Sequence, residues 1–199
     1  MVQAAVDAIE AALLAGAQGG NVLAFDEIVR RYQRRVYATA LRIVRRHDLA
    51  DDVTQEAFLR AHRALASYDP ARPFGPWICR IAANLAINHV RSPQSREDTL
   101  DEVALAQFPA PGSDGPLDSV LETEARDVLE EAVGRLPPEQ RAVFVLRTFE
   151  DLSYKEIAEA LDLSVGTVMS RLSRAREKLR DALAGYLGPA LDRAGGASR

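Results

Sequence analysis

The residues of this 199-residue chain best suited to chemistry form one basic run: Thr167, Ser170, Arg171, Ser173, Arg174, Arg176 and Lys178. Hydroxyls and guanidinium groups bond to base edges and phosphates, and Arg matches guanine through two parallel hydrogen bonds. Such a run is useful only if a helix presents it on one side. At about 100° per residue, Val168, Leu172, Ala175 and Leu179 share one stripe, which predicts a buried face. The opposite face then carries Gly166, Ser170, Ser173, Arg174 and Glu177. Thr167, Arg171 and Lys178 lie on one flank, Met169, Arg176 and Arg180 on the other. Base edges would meet Ser170, Ser173 and Arg174, and phosphates the flanking Arg and Lys.

A shorter helix must precede this one. Ser153 with Glu156 three residues on is a capping-box spacing, in which each residue satisfies a free N–H of the other. Ile157, Ala158 and Leu161 would face inward. Leu161-Asp162-Leu163 makes the turn, where Asp tolerates a left-handed backbone, and Ser164 offers a second N-cap. The layout is a helix-turn-helix, whose second helix enters the major groove of DNA.

Other chemistries are excluded by what the chain lacks. It has no glycine-rich phosphate loop, nucleophile elbow or zinc-protease motif. The single Cys79 and the scattered His47, His62 and His89 give no disulfide and no metal-ligand spacing. No catalytic residue, metal or cofactor is therefore expected. The net charge of −4 is unusual for a DNA-binding chain, so its basic residues must be segregated. No apolar run is long enough to cross a bilayer, and the N-terminus has no signal-peptide pattern. The expected location is the cytoplasm, without membrane insertion.

Further elements follow from periodicity. Ala4 to Ala15 predicts a short helix, broken at Gly16 to Asn21. A second starts near Val22, with Phe25, Ile28, Val29, Tyr32, Val36, Ala40 and Val44 inward and arginines elsewhere. Asp48 can cap a third, running to about Ala66 with Val53, Ala57, Phe58, Ala61 and Leu65 inward. Residues 67–76 hold three prolines and a glycine, so they form a loop. Trp77 opens a helix to about Arg91, with Ile78, Ile81, Ala82 and Leu85 inward. Residues 92–118 are acidic and rich in Pro and Gly, a composition that cannot bury enough apolar surface to fold alone. Ser119 and Glu122 start a helix to about Leu136, another spans Glu139 to Phe149, and the tail after Ala184 is expected to fray.

Several strings carry a resemblance. Leu136 to Arg141, Tyr154 to Ala158, Val165 to Val168 and Ser170 to Arg176 resemble the C-terminal domain of bacterial sigma factors of the extracytoplasmic-function group. Asp48 to Ala61 is similar to that family's helix docking on the clamp of RNA polymerase. The resemblance implies polymerase contacts from Asp48, Asp51, Asp52, Gln55, Glu56 and Leu59, an acidic and amide face matching a basic partner. It implies that Tyr68, Arg72, Phe74, Trp77, Arg80, Asn84 and Arg91 serve minus-ten recognition and melting. A flipped base must be repaid by stacking and edge hydrogen bonds. Asn84 has the amide for an edge, and Tyr68 or Phe74 could stack. The residues of the basic run would read the minus-thirty-five element. In the family, the linker threads a polymerase channel that later carries RNA, where an acidic chain would stand in for nucleic acid.

The expected architecture is all-α, two small helical domains joined by a flexible acidic linker. Residues 1–91 form the first domain, 92–118 the linker, 119–184 the helix-turn-helix domain and 185–199 a tail. Promoter elements about sixteen base pairs apart lie roughly 55 Å apart at 3.4 Å per pair, which an extended linker of this length spans. The expected partners are core RNA polymerase, promoter DNA and an anti-sigma factor. A stand-alone helix-turn-helix regulator is the alternative, but it leaves the pattern from Asp48 to Arg91 without purpose. An enzyme on a helical scaffold has no catalytic constellation to support it.

Overall fold

The computed structural model describes residues 2–70, 72–92 and 127–195, with side chains from residue 8 to residue 184. Among these residues every regular element is helical: α1 (Val2–Gln18), α2 (Val22–Val44), α3 (His47–Ala64), a 3-10 turn (Leu65–Ser67) and α4 (Phe74–Arg91). The second half holds α5 (127–134), α6 (Pro138–Thr148), α7 (Tyr154–Leu161) and α8 (Val165–Gly195). The expected linker, and the start of the helix expected from Ser119, lie outside the described residues.

Local chemistry sets the boundaries. The Asn21 side chain accepts from the Ala24 N–H at 3.2 Å and starts α2. Arg45 ends it in a left-handed conformation, its N–H returning to the Leu41 carbonyl. Helix α3 starts two residues earlier than the expected Asp48 cap implies, with Arg46 at the N-cap and no side-chain cap. Asp48 instead pairs with the Arg46 guanidinium at 2.6 Å and adds negative charge to the first turn. Helix α4 begins at Phe74, three residues before Trp77. Pro76 falls in its first turn, where a missing N–H costs no helical bond. Helix α8 continues as backbone helix to Gly195, so the expected frayed tail is helical over most of its length.

The inward positions read from periodicity are filled as expected. Ile28, Val36, Ala40 and Val44 of α2 are buried, as are Val53, Ala57, Phe58 and Ala61 of α3. Helix α4 buries Ile78, Ala82 and Leu85, and in addition a second stripe of Cys79, Ala83, Ala86 and Ile87. That stripe has a cause the sequence did not disclose. Helices α6 and α7 of the C-terminal half pack on α4, and α6 also packs on α2. The two halves therefore share one continuous apolar core.

The capping box at the start of α7 is complete. The Ser153 N–H donates to Glu156 Oε2 at 2.9 Å, and the Glu156 N–H donates to Ser153 Oγ at 3.3 Å. Hydrogen bonds from Ser153 hold the Glu156 carboxyl below its usual range. A depressed carboxyl pKa adds stability above its unfolded value, and that stability is lost as pH falls through the folded one. Glu156→Gln should therefore cost about 0.5–1 kcal/mol at pH 7, and the cost should vanish near pH 3. Urea unfolding at both pH values is the measurement, and a cost independent of pH rules out the carboxylate as the cause.

Candidate nucleic-acid interface

Three surfaces carry the residues singled out above. On α3, Asp48, Asp51, Asp52, Gln55 and Leu59 are exposed. Glu56 is half-buried and accepts from Arg60 Nε at 2.8 Å, which lowers its pKa. Leu59, 53% exposed, edges an open apolar groove of about 570 Å³ with Phe25, Val29 and Phe58. The acidic turn and the groove form one continuous face of α2 and α3, polar at one end and apolar at the other.

The second surface differs from expectation. Tyr68 and Phe74, expected to stack on a base, are buried, and Phe74 is fully so. With Tyr32 and Trp77 they form an aromatic cluster with ring centroids 4.6–5.6 Å apart. Burial pushes the Tyr68 phenol up to about 12, and its hydroxyl donates to the Arg72 carbonyl. These rings are the foundation of the 68–73 loop, not its tip. Trp77 is half-buried. Gln18 adds a brace that the sequence did not disclose: its Nε2 donates to the Leu65 and Tyr68 carbonyls at 3.0 and 2.9 Å.

Above this foundation, Arg72 and Asn84 are exposed, and Asn84 Oδ1 accepts from Asn88 Nδ2 at 3.0 Å. Asn84, Trp77, Arg80 and Ile81 line a cleft of about 350 Å³. Its far wall is Glu159 and Ala160 of α7, and Arg80 reaches Glu159 at 3.3 Å. Arg91 pairs with Glu139 at 3.1 Å.

The third surface is α8. Val168, Leu172, Ala175 and Leu179 are buried, which fixes the rotation of the helix as expected. Asp162 makes the turn at φ 52°. Ser164 Oγ accepts from the Thr167 N–H at 3.1 Å, so Thr167 belongs to the cap and is only half-exposed. Ser170, Ser173, Arg174, Arg176 and Lys178 are exposed. Arg171 is not free: its guanidinium lies 2.5 Å from Glu139, on the carboxylate that also holds Arg91.

A helix-turn-helix with an exposed Arg/Ser face, on an all-helical body, has the layout of a DNA-binding protein. Comparison with known proteins gives the family. Residues 28–97 match the sigma-70 region 2 model and residues 126–179 the sigma-70 region 4 model. The RNA polymerase sigma-H factor of Pseudomonas aeruginosa is 36% identical over 172 residues, covering 83% of this chain and 89% of that one. SigW of Bacillus subtilis is 36% identical over 82% of this chain and 91% of its own. The sigma-E factor of Escherichia coli is 37% identical over 81% and 87%. The structure of CnrH in complex with the cytosolic domain of CnrY matches at TM-score 0.58 and 30% identity, over 89% of this chain and 98% of that one. The chain belongs to the sigma-70 family, in its extracytoplasmic-function group. It is a transcription initiation factor and not an enzyme.

Arg174 and Arg176 are both exposed but lie at different angles from the buried stripe. Arg174→Ala should cost about 1–3 kcal/mol and flatten discrimination among minus-thirty-five variants. Arg176→Ala should weaken all duplexes alike and lower the salt slope by about one. Titrating the full chain with core polymerase against single-pair variants at several salt concentrations separates the two. The reverse pattern means the helix meets DNA through its other flank.

Proposed function

We propose that this protein binds core RNA polymerase through the α3 face of Asp48, Asp51, Asp52, Gln55, Glu56 and Leu59. It then directs the enzyme to one class of promoters in the cytoplasm. In this reading α8 recognises the minus-thirty-five element through Ser170, Ser173 and Arg174, with Thr167, Arg171, Arg176 and Lys178 on the backbone. Helix α4 and the loop before it take the minus-ten strand, with Asn84 against a base edge and Arg72, Arg80 and Arg91 on phosphates. Tyr68 and Phe74 act from beneath, holding the loop, and Trp77 is the aromatic ring left for a base. The observation that carries this reading is the pairing of an exposed Arg/Ser helix face with an independent acidic docking face on one chain. A stand-alone regulator needs only the first.

An anti-sigma factor is the further partner in this reading. The CnrH comparison supports it, since CnrH is there in complex with the cytosolic domain of a second protein, CnrY.

Run-off transcription with core polymerase is the direct test, and absence of any promoter-directed product would refute the reading. Reversing charge at Asp51 and Asp52 should abolish co-purification with core polymerase while the helical circular dichroism stays unchanged. Retained binding removes α3 as the docking face. Asn84→Ala should reduce permanganate reactivity of minus-ten thymines several-fold with polymerase affinity intact, and equal reactivity removes Asn84 from the melting site.

A further inference from the structure

Helix α1 ends in a side chain that acts on a distant turn. Gln18 is its last residue, and one amide nitrogen serves two backbone acceptors: Nε2 donates to the Leu65 carbonyl at 3.0 Å and to the Tyr68 carbonyl at 2.9 Å. Both protons of the amide are thereby used. The two carbonyls lie at the 3-10 turn that leads into the loop before α4.

The helix end that carries Gln18 is itself fixed. Leu14 is buried, and Gly16 lies so near Ala24 that a Cβ would come within 3.3 Å of its methyl. The Asn21 N–H returns to the Gly16 carbonyl and the Gly20 N–H to the Ala17 carbonyl, both at 3.0 Å. Gly20 stands at φ 87°, where a side chain would be strained. The amide is therefore presented from a capped helix end, not from a frayed one.

From Tyr68 the constraint passes on. Its phenol donates to the Arg72 carbonyl, so the ring ties the start of the loop to its far side. A second strut runs from α1 to the loop's exit. Tyr32 donates to Glu10 Oε2 at 2.5 Å, and the Tyr32 ring packs on Phe74 with centroids 5.1 Å apart. Asp69 and Arg72, by contrast, are exposed. Glu10 and Gln18 both lie ahead of the 28–97 stretch that matches the sigma-70 region 2 model.

We propose that Gln18 is a positioning residue for minus-ten recognition. Its amide sets the pose of the 68–73 loop from beneath, without touching DNA. A loop already held in shape loses less conformational entropy when it takes a base, so the base preference of the loop depends on α1. The inference rests on the minus-ten role proposed above for what the pose serves, but not for the brace itself.

Three variants of the full chain test it. Gln18→Ala removes the donor, Gln18→Glu keeps the shape but sets oxygens against two carbonyl oxygens, and Gln18→Lys keeps donors. In the free protein, the Tyr68 and Arg72 amides donate to the Leu65 and Asp69 carbonyls at 3.1 and 3.0 Å. In Gln18→Ala they should exchange with deuterium roughly tenfold faster, the worth of one or two hydrogen bonds, while amides of α8 stay unchanged. With core polymerase, the ratio of transcription from a cognate promoter to that from minus-ten variants should fall in both Gln18→Ala and Gln18→Glu. Polymerase affinity and discrimination among minus-thirty-five variants should stay at the wild-type level. Gln18→Lys should keep both the protection and the minus-ten preference. Unchanged exchange at Tyr68 and Arg72 overturns the brace. Faster exchange with an unchanged minus-ten preference, or a loss of discrimination shared by both promoter elements, overturns the positioning role. Gln18→Lys resembling Gln18→Ala assigns the effect to packing and also overturns it. No promoter-directed product from any form, wild type included, refutes the sigma reading instead, and the exchange measurement still decides the brace.

Discussion

The structure depends most on the burial of one carboxylate. Glu150 sits in the short loop between α6 and α7, yet its side chain is almost wholly excluded from water. A buried carboxylate is costly unless hydrogen bonds and an opposite charge replace its water. Arg35 and Thr39, one helical turn apart on α2, supply both. Gly75 leaves room for the same pocket, since a Cβ there would press on the Arg35 guanidinium and the Tyr32 ring and shift the arginine from its place. A loop of the C-terminal half is thus fitted to a site made entirely by the N-terminal half. Removing one partner of such a pair typically costs about 3–5 kcal/mol, so this contact fixes which faces of the two halves meet.

The other ion pairs between the halves have a different standing. Glu139 and Glu159 keep 43% and 63% of their side-chain surface in water. Exposed pairs of this kind contribute about 0–1 kcal/mol each and weaken with salt. Most of the attraction between the halves must therefore come from apolar contact. The second buried stripe of α4 contributes to it, at about 25 cal/mol per Å² removed from water. Apolar contact is non-directional and gives strength, while the arginine–glutamate pairs give register. The packing of the halves is thus specific as well as strong.

Much of this was legible in the sequence because it is local. The capping box at Ser153, the left-handed Asp162 and the stripe Val168, Leu172, Ala175 and Leu179 each follow from residues within a few turns. Periodicity likewise gave the buried faces of α2 and α3. What periodicity could not give was contact between distant segments. Cys79, Ala83 and Ile87 are small or apolar residues that suit an exposed flank or a second interface equally, and only α6 and α7 decide between them. Tyr68 and Phe74 illustrate the same limit: aromatic residues in a proline-rich loop were open to stacking on a base, but mutual packing with Tyr32 and Trp77 draws them under the loop. Gln18, Glu150 and Arg141 carried no sequence signal, since each acts on a backbone or side-chain group far along the chain.

The acidic balance of the chain then has a physical explanation. A DNA-binding protein with net charge −4 would be expected to suffer repulsion from its target. Its arginines, however, are most numerous on α2 and α8, and several of the acids that offset the basic residues are placed against arginines of α2, α4 and α8, not spread over the surface. Arg35, Arg42, Arg80, Arg91 and Arg171 are neutralised internally in this way, whereas Arg174, Arg176 and Lys178 of α8 stay exposed, and attraction to DNA phosphates rests on such exposed cations. The acidic turn of α3 stays outside the contact between the halves. The overall sign of the charge therefore says little about what the protein binds. Which cations the fold pairs and which it leaves exposed says more.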